Sequence, residues 1–494
     1  MSEATAASKM SQAGCPSSVS LTRSLAIFLL LNALVLNGLI WLASPPSHKE
    51  TVLQHSWDVL RVDGSDDSWG AMAIALEYFR SGEPLPIYSE VFFDRNVKFQ
   101  YPPSSLFALM AMQAVARPER VRITDENVYA WPTVNDVIGW LFLVLTAAAT
   151  AALLERRLRQ ECTFDDTRML IGLRGAIVFG LALTFYPLVK AFTLGQIQVW
   201  INGLFAVALL AWAAGWRTAS GAIMGILCLI KPHYGLFVLW ALLRKEWRFA
   251  FACVAAGCVG LAGSIAVFGW SNHLDYLPVL SHLAERGETY YPNHSVNGLL
   301  NRLMSVVEPE LYRNLEWGDG SFPPFNRFVY WTTTISSAAI LLLAIMRRHR
   351  ENDPDRVINF CTMAVSCTVA SPIAWEHHYG VLFPVFAVML ASVLRSRARL
   401  PWLIVSYVLA SNYFIATQLL APTFWNFIQS YLLFATWILL VLLHLRPPLA
   451  SAVARVEPQA RSRAPSTRYG ETRGAPVASE NQSRMSLCSI RATR

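Results

Sequence analysis

The stretch Val62-Asp63-Gly64-Ser65-Asp66-Asp67-Ser68 is the first in this 494-residue chain whose residue types and spacing suit proton transfer. Adjacent carboxylates repel, so one of Asp66 and Asp67 is expected to hold its proton to higher pH than a free carboxyl. An acid titrating near its operating pH can accept a proton from a hydroxyl. Asp and Ser are also preferred helix caps, so a helix opening at Ser65 or Asp66 is the competing structural reading. Further polar groups follow in Leu194-Gly195-Gln196-Ile197-Gln198, Lys231-Pro232-His233, Asn293-His294-Ser295-Val296-Asn297 with Arg302, and Trp375-Glu376-His377-His378. Lys231, Arg302, His377 and His378 gathered at one level would make a positive pocket suited to a phosphate. Tyr101, Gln196, His233, Asn293, Asn297, Trp375 and Glu376 are the candidate substrate contacts around it. Single ionisable residues at helix ends also snorkel to headgroups or anchor in them, which is the bland alternative for each. Phe99-Gln100-Tyr101-Pro102-Pro103 reads first as an extended entry to a helix, because proline is tolerated in a first turn.

The elements that must hold these groups are set by composition. The chain is 54% hydrophobic and 15% charged, with a mean hydropathy of +0.37, more apolar mass than a soluble domain hides. The apolar residues form blocks at 24–43, 135–154, 169–188, 197–213, 219–230, 233–243, 249–269, 327–346, 357–371, 378–394, 400–417 and 425–445. Blocks of roughly 20 residues cross about 30 Å of hydrocarbon as helices. The expected architecture is an all-α polytopic membrane protein with about twelve spans. Residues 1–23 form a cytoplasmic segment, 24–445 the membrane domain, and 446–494 a disordered basic cytoplasmic tail. Nine of the 41 Lys and Arg lie in that tail, so the net charge of +8 does not point to nucleic acid.

The stretch Ser104–Ala116 is too short to cross and reads as re-entrant or interfacial. With it excluded, Arg156/Arg157/Arg159/Arg168, Arg217, Arg244/Lys245/Arg248, Arg347/Arg348/Arg350/Arg356 and Arg395/Arg397/Arg399 all fall on one side, which the positive-inside bias makes cytoplasmic. The long loops 45–134 and 271–326 then face outward, and the active site with them. Residues 68–79 are expected to form an amphipathic helix on the membrane surface, ending at Ser81-Gly82, with Trp69, Met72, Ala73, Leu76 and Phe79 on its apolar face. The 219–243 pair is short for two full spans, so a helical hairpin of partial depth with Lys231 at its tip is an alternative. The eight cysteines are scattered, with no CxxC pair, and predict neither a disulfide framework nor a zinc site. No P-loop, GxGxxG, HExxH or GxSxG pattern sits in a credible setting, which argues against nucleotide-driven chemistry.

At Asp66-Asp67 with Gly82 and Tyr88, Tyr101-Pro102-Pro103, Gly195-Gln196, Ile230-Lys231-Pro232, Asn293 to Arg302 and Ser371-Pro372 to His378, the chain resembles glycosyltransferase family 87. These are the integral-membrane transferases that depend on polyprenyl-phosphate mannose. The order and spacing of these short motifs carry the resemblance over roughly residues 60–385. It implies a glycosyltransferase C-type fold with surface helices in the first external loop and a catalytic acid there. It also implies inverting transfer of a hexose, mannose by analogy, from a polyprenyl-phosphate sugar to a lipid or glycan acceptor in the plasma or inner membrane. No metal or other cofactor is implied. The chain departs from the family at Gln198, where Asn is common. A transporter or lipid flippase is the runner-up from another class, and a purely structural assembly protein a poorer third. The polar residues collect at one face and no half-to-half repeat is evident, which disfavours the transporter.

Overall fold

The computed structural model describes residues 15–445 except 47–48, 114–118, 124–125, 131, 163, 165, 313–321, 348–352 and 395–397. The N-terminal segment before Cys15 and the basic tail lie outside the described residues. The described chain is overwhelmingly helical, as the apolar blocks predict. One short antiparallel hairpin was not expected, β1 (Glu119–Ile123) paired with β2 (Glu126–Ala130).

Among the described residues five helices are long and apolar enough to cross a membrane: α1 (Ser18–Ala43), α5 (Thr133–Cys162), α11 (Trp247–Arg286), α13 (Arg327–Met346) and α17 (Phe424–His444). A sixth span results if α6 (Arg168–Leu183) and α7 (Tyr186–Thr193) count as one, bent by 61°. Of the twelve expected spans, these five or six have the length and composition to cross, and most of the remaining apolar blocks form shorter helices. Among these are α8 (Gln198–Ala213), α14 (Asp353–Val369) and α16 (Leu400–Ser411). The α6/α7 break falls before Pro187, where proline favours a first turn. Block 249–269 does not end where its apolar run ends. It continues through a kink at Gly269 to Arg286, carrying the helix into the second loop.

The first loop holds α2 (Val52–Arg61), α3 (Asp67–Ser81) and α4 (Phe107–Gln113). The expected helix over 68–79 is α3, closed by Gly82 at φ +73°. Its apolar face is covered by protein, however. Trp69, Met72, Ala73 and Leu76 are buried in a cluster with Phe268, Tyr276 and Val279 of α11 and with Ile197. A helical apolar stripe is satisfied equally by lipid and by a neighbouring helix, and here protein covers it.

Polar clasps fix the bundle. Arg174 of α6, fully buried, reaches Glu155 at 2.5 and 2.7 Å, Asp166 at 2.5 Å and Ser18 Oγ at 2.6 Å. Asn32 and Asn37 of α1 bond Asn412 at 2.9 and 3.1 Å, joining the first helix to the end of α16. The cysteine expectation is also corrected: Cys15 and Cys162, 147 positions apart, form a disulfide with Cα atoms 5.8 Å apart. Such a pairing has no sequence spacing to betray it.

Candidate active site

Backbone contacts place the first-loop acids. Ser65 N–H donates to Thr193 O, and Asp67 N–H to Leu194 O, both at 3.0 Å, laying the start of α3 along the end of α7. Gly195 makes this possible. Its φ is +62°, and a Cβ there would lie 1.5 Å from Ser65 O, so the approach admits only a residue without a side chain. Gln196, immediately after, is thereby held against Asp67. Its Nε2 donates to Asp67 Oδ2 at 2.5 Å, while its Oε1 accepts from Ser68 Oγ at 2.5 Å and Tyr101 OH at 3.1 Å. The amide is thus fixed in one orientation, with its N–H pointing at the carboxylate.

Asp67 retains an exposed side. Loss of water around the rest pushes its carboxyl above the usual range, opposed by the Gln196 bond and by the charges of Lys190 and Lys98. Asp66 occupies the N-cap position of α3, yet its side chain makes no capping bond. The capping explanation therefore accounts for its position but not for its carboxyl. Burial pushes the Tyr101 phenol well above its ordinary value, so it stays a donor to Gln196.

A second group converges from the helical hairpin, the turn at Lys231 between the short helices Arg217–Cys228 and Leu236–Leu243, and from the 371–381 connection. Lys231 Nζ donates to Gln198 Oε1 at 2.7 Å, and Gln198 Nε2 donates to Asn202 at 2.9 Å. The departure from the family pattern at Gln198 is thus the contact that holds the hairpin tip. Ser104 Oγ bonds Leu229 O at 2.5 Å, tying the short first-loop helix to the same tip. Lys231 is only 9% exposed, and burial pushes its ammonium well below the normal lysine range. Its charge is felt by His233, His377 and His378, and the rings of His377 and His378 meet edge-on at 4.7 Å. Burial, then Lys231 and Lys190, hold the His377 imidazole low.

Glu376 is buried and accepts from Tyr186 OH at 2.7 Å; burial pushes its carboxyl up to about 7, against the pull of Lys190 and Tyr186. Trp375 is half-buried, its backbone bridged to Asn293 and its ring edge-on to Tyr290 at 6.4 Å.

The other predicted residues serve differently. Asn293 is inaccessible and joins the two loops, donating to Glu288 O and Pro372 O and accepting from Ala374 N–H. Asn297 accepts from Glu288 N–H and Asn301. Arg302 directs its Nη atoms at the carbonyls of Tyr290, Tyr291 and Asn293 and at Ser430 Oγ, and burial pushes its guanidinium down to about 9. It is not brought to the Lys231 group.

The residue that sequence reasoning missed is Lys190. One helical turn separates it from Tyr186, so both side chains leave the same face of α7. Tyr186 touches Glu376, and Lys190 acts on Asp67, Glu376 and His377 together. It is half-buried, and its ammonium makes no hydrogen bond or ion pair among the described residues. Its signal was a lone cation five residues before Gly195-Gln196, between the apolar blocks 169–188 and 197–213. Among the described residues no three His, Cys, Asp or Glu side chains gather to hold a metal.

Comparison with known proteins meets this arrangement. The chain is 24% identical over 339 residues to a polyprenol-phosphate-mannose-dependent alpha-(1-2)-phosphatidylinositol mannoside mannosyltransferase of Mycolicibacterium smegmatis, covering 65% of this chain and 68% of that one. It is 25% identical over 290 residues to the protein of the same name from Mycobacterium tuberculosis, covering 55% of this chain and 60% of that one. Residues 99–372 match the sequence model of Glycosyltransferase family 87, a stretch that takes in Tyr101, Lys190, Gln196, Lys231 and Arg302 and leaves out Asp67, which precedes it, and Glu376, which follows it. With more than half its length matched, the chain belongs to glycosyltransferase family 87.

Proposed function

We propose that this protein moves a hexose, mannose, from a polyprenyl-phosphate sugar to a lipid or glycan acceptor, with inversion, on the extracytoplasmic face of the plasma or inner membrane. Asp67 takes the proton of the acceptor hydroxyl as its oxygen attacks the anomeric carbon. The bond from that carbon to the phosphate oxygen breaks on the opposite face, and polyprenyl phosphate leaves with the electron pair. Lys190 is the cation best suited to that leaving phosphate, because Lys231 is buried on Gln198 and Arg302 is engaged with carbonyls. Lys231, His233, His377 and His378 line the adjoining wall, and Tyr101, Gln196, Trp375 and Glu376 orient the donor and the base. Asp66 is the alternative base.

This reading keeps the membrane domain at 24–445 with external loops 45–134 and 271–326, cytoplasmic ends and a C-type glycosyltransferase fold. The names of the two mycobacterial relatives support the donor. The observation that carries the proposal is the Gln196 amide aimed at a partly exposed Asp67 that feels the charge of Lys190, whose ammonium has no partner among the described residues. General base catalysis contributes roughly 10²- to 10⁴-fold. Asp67→Asn in membranes supplied with polyprenyl-phosphate mannose is therefore expected to lose at least about 10²-fold in transfer, and Asp66→Asn much less. Near-normal transfer by a folded Asp67→Asn variant overturns the assignment. Release of polyprenyl phosphate in step with glycolipid formation separates the transferase from a flippase.

A further inference from the structure

A cleft among the described residues is lined by side chains that do not include Asp67. Its volume is about 440 Å³, within the roughly 300–1,000 Å³ usual for small-ligand sites. One wall is Tyr290-Tyr291 of the second loop. The opposite wall is Gln418, Asn426 and Gln429 from the turns Ile415–Leu420 and Phe424–Ser430.

Two connections tie this cleft to the site above. Tyr291 OH meets Tyr413 OH at 2.7 Å, Tyr413 stacks on Tyr186 at 4.7 Å, and Tyr186 holds Glu376, so the tyrosine wall separates the cleft from Glu376. Lys98 lines the cleft, and Tyr101, three residues on, bonds Gln196 in the Asp67 network. Three extended residues span at most about 11 Å, so the cleft rim lies within a small molecule's reach of Asp67.

Lys98 Nζ is paired with Glu288 Oε1 at 2.7 Å, and the Nη donors of Arg302 are taken by carbonyls and Ser430 Oγ. A phosphate entering here would find no free ammonium, and would have to displace the bonds that already hold the Arg302 Nη atoms. The amide N–H groups of Gln418, Asn426 and Gln429 are bonded to Tyr413 OH, Arg302 O and Thr417 O. What the walls offer is Asn426 Oδ1, buried and without a hydrogen-bond partner among the described residues, with hydroxyls and aromatic faces, which suit a ring carrying many hydroxyls. Gln418, Asn426 and Gln429 also lie beyond the family match, which ends at 372.

We propose that this cleft seats the carbohydrate or polyol head of the acceptor, an uncharged hydroxyl-rich ring system, with the attacking hydroxyl projecting past Lys98 toward Asp67. The proposal rests on Asp67 as the reacting end, and it is tested on full-length protein in detergent by two readouts. The first is binding of octyl α-mannoside and of octyl phosphate by saturation-transfer NMR, which needs no catalysis. The second is mannosyl transfer from polyprenyl-phosphate mannose to octyl α-mannoside, beside hydrolysis of the donor without acceptor.

Each lost amide–hydroxyl contact weakens affinity roughly two- to tenfold. Gln418→Ala/Gln429→Ala is therefore expected to raise the glycoside Kd and KM about tenfold, and Ser305→Trp, which fills the cleft, to abolish binding. Donor KM and donor hydrolysis stay within about twofold, by the same affinity scale. Equal binding of octyl phosphate overturns the uncharged class. Glycoside binding unchanged in both variants overturns the site. Glycoside binding that is lost in the variants while the unaltered protein transfers nothing supports the cleft and defeats the transferase reading instead.

Discussion

Replacing Gln196 by alanine tests whether Asp67 works as a charged base. The amide N–H donates to the carboxylate at 2.5 Å and favours its ionised form. Removing that donor therefore raises the pKa of Asp67 further above its already elevated position. A hydrogen bond to a charged group is worth about 1.5–3 kcal/mol, which is about 1–2 pH units. Asp67 has an open side through which water replaces part of the lost bond, so the expected rise is about one unit. The base form is then scarcer at neutral pH, and the acidic limb of the kcat/KM profile for transfer from polyprenyl-phosphate mannose moves about one unit toward alkaline pH. The plateau above that limb falls less, by about tenfold or under, because the base itself remains. Tyr101→Phe, which frees the amide without removing it, shifts the limb in the same direction by a smaller amount. A Gln196→Ala limb at the parental pH, or one moved toward acid, refutes the role given to Asp67.

Three other perturbations have defined outcomes. Gly195→Ala sets a Cβ against the Ser65 carbonyl and strains a positive φ, a cost of about 1–3 kcal/mol before the backbone shifts; transfer should be lost while the helical circular dichroism spectrum is kept. Arg174→Met leaves Glu155 and Asp166 without their cation and should destabilise the bundle by about 3–5 kcal/mol, read as a lower thermal midpoint in detergent, whereas neutralising all three together restores most of it. Glu376 has a folded pKa of about 7 against an ordinary 4.5, so its protonated form is favoured by the fold. Its contribution to stability, on the order of 3 kcal/mol, is full below about pH 4.5 and is lost as pH rises through about 7; Glu376→Gln should flatten that part of the stability profile, and an unchanged profile counts against the buried position of this carboxyl.

Much of the membrane character and local helical order was legible from residue order alone. Apolar blocks dictate helices wherever a backbone must satisfy its own hydrogen bonds, and the α3 helix with its glycine stop follows from local periodicity and conformational freedom. The candidate acids and the Gly195-Gln196 pair were likewise visible, because their chemistry resides in residue type. Sequence could not say what covers the α3 stripe, since lipid and α11 satisfy it equally. Nor could it show that Arg302 and Asn293 staple loops, that Cys15 reaches Cys162, or that Lys190 belongs among the polar groups. Those are matters of which distant segments meet, here α7 laid against the start of α3 and the 371–381 connection against the second loop. Only the packing of the whole bundle sets such encounters, because a side chain's role depends on the partners that burial leaves it.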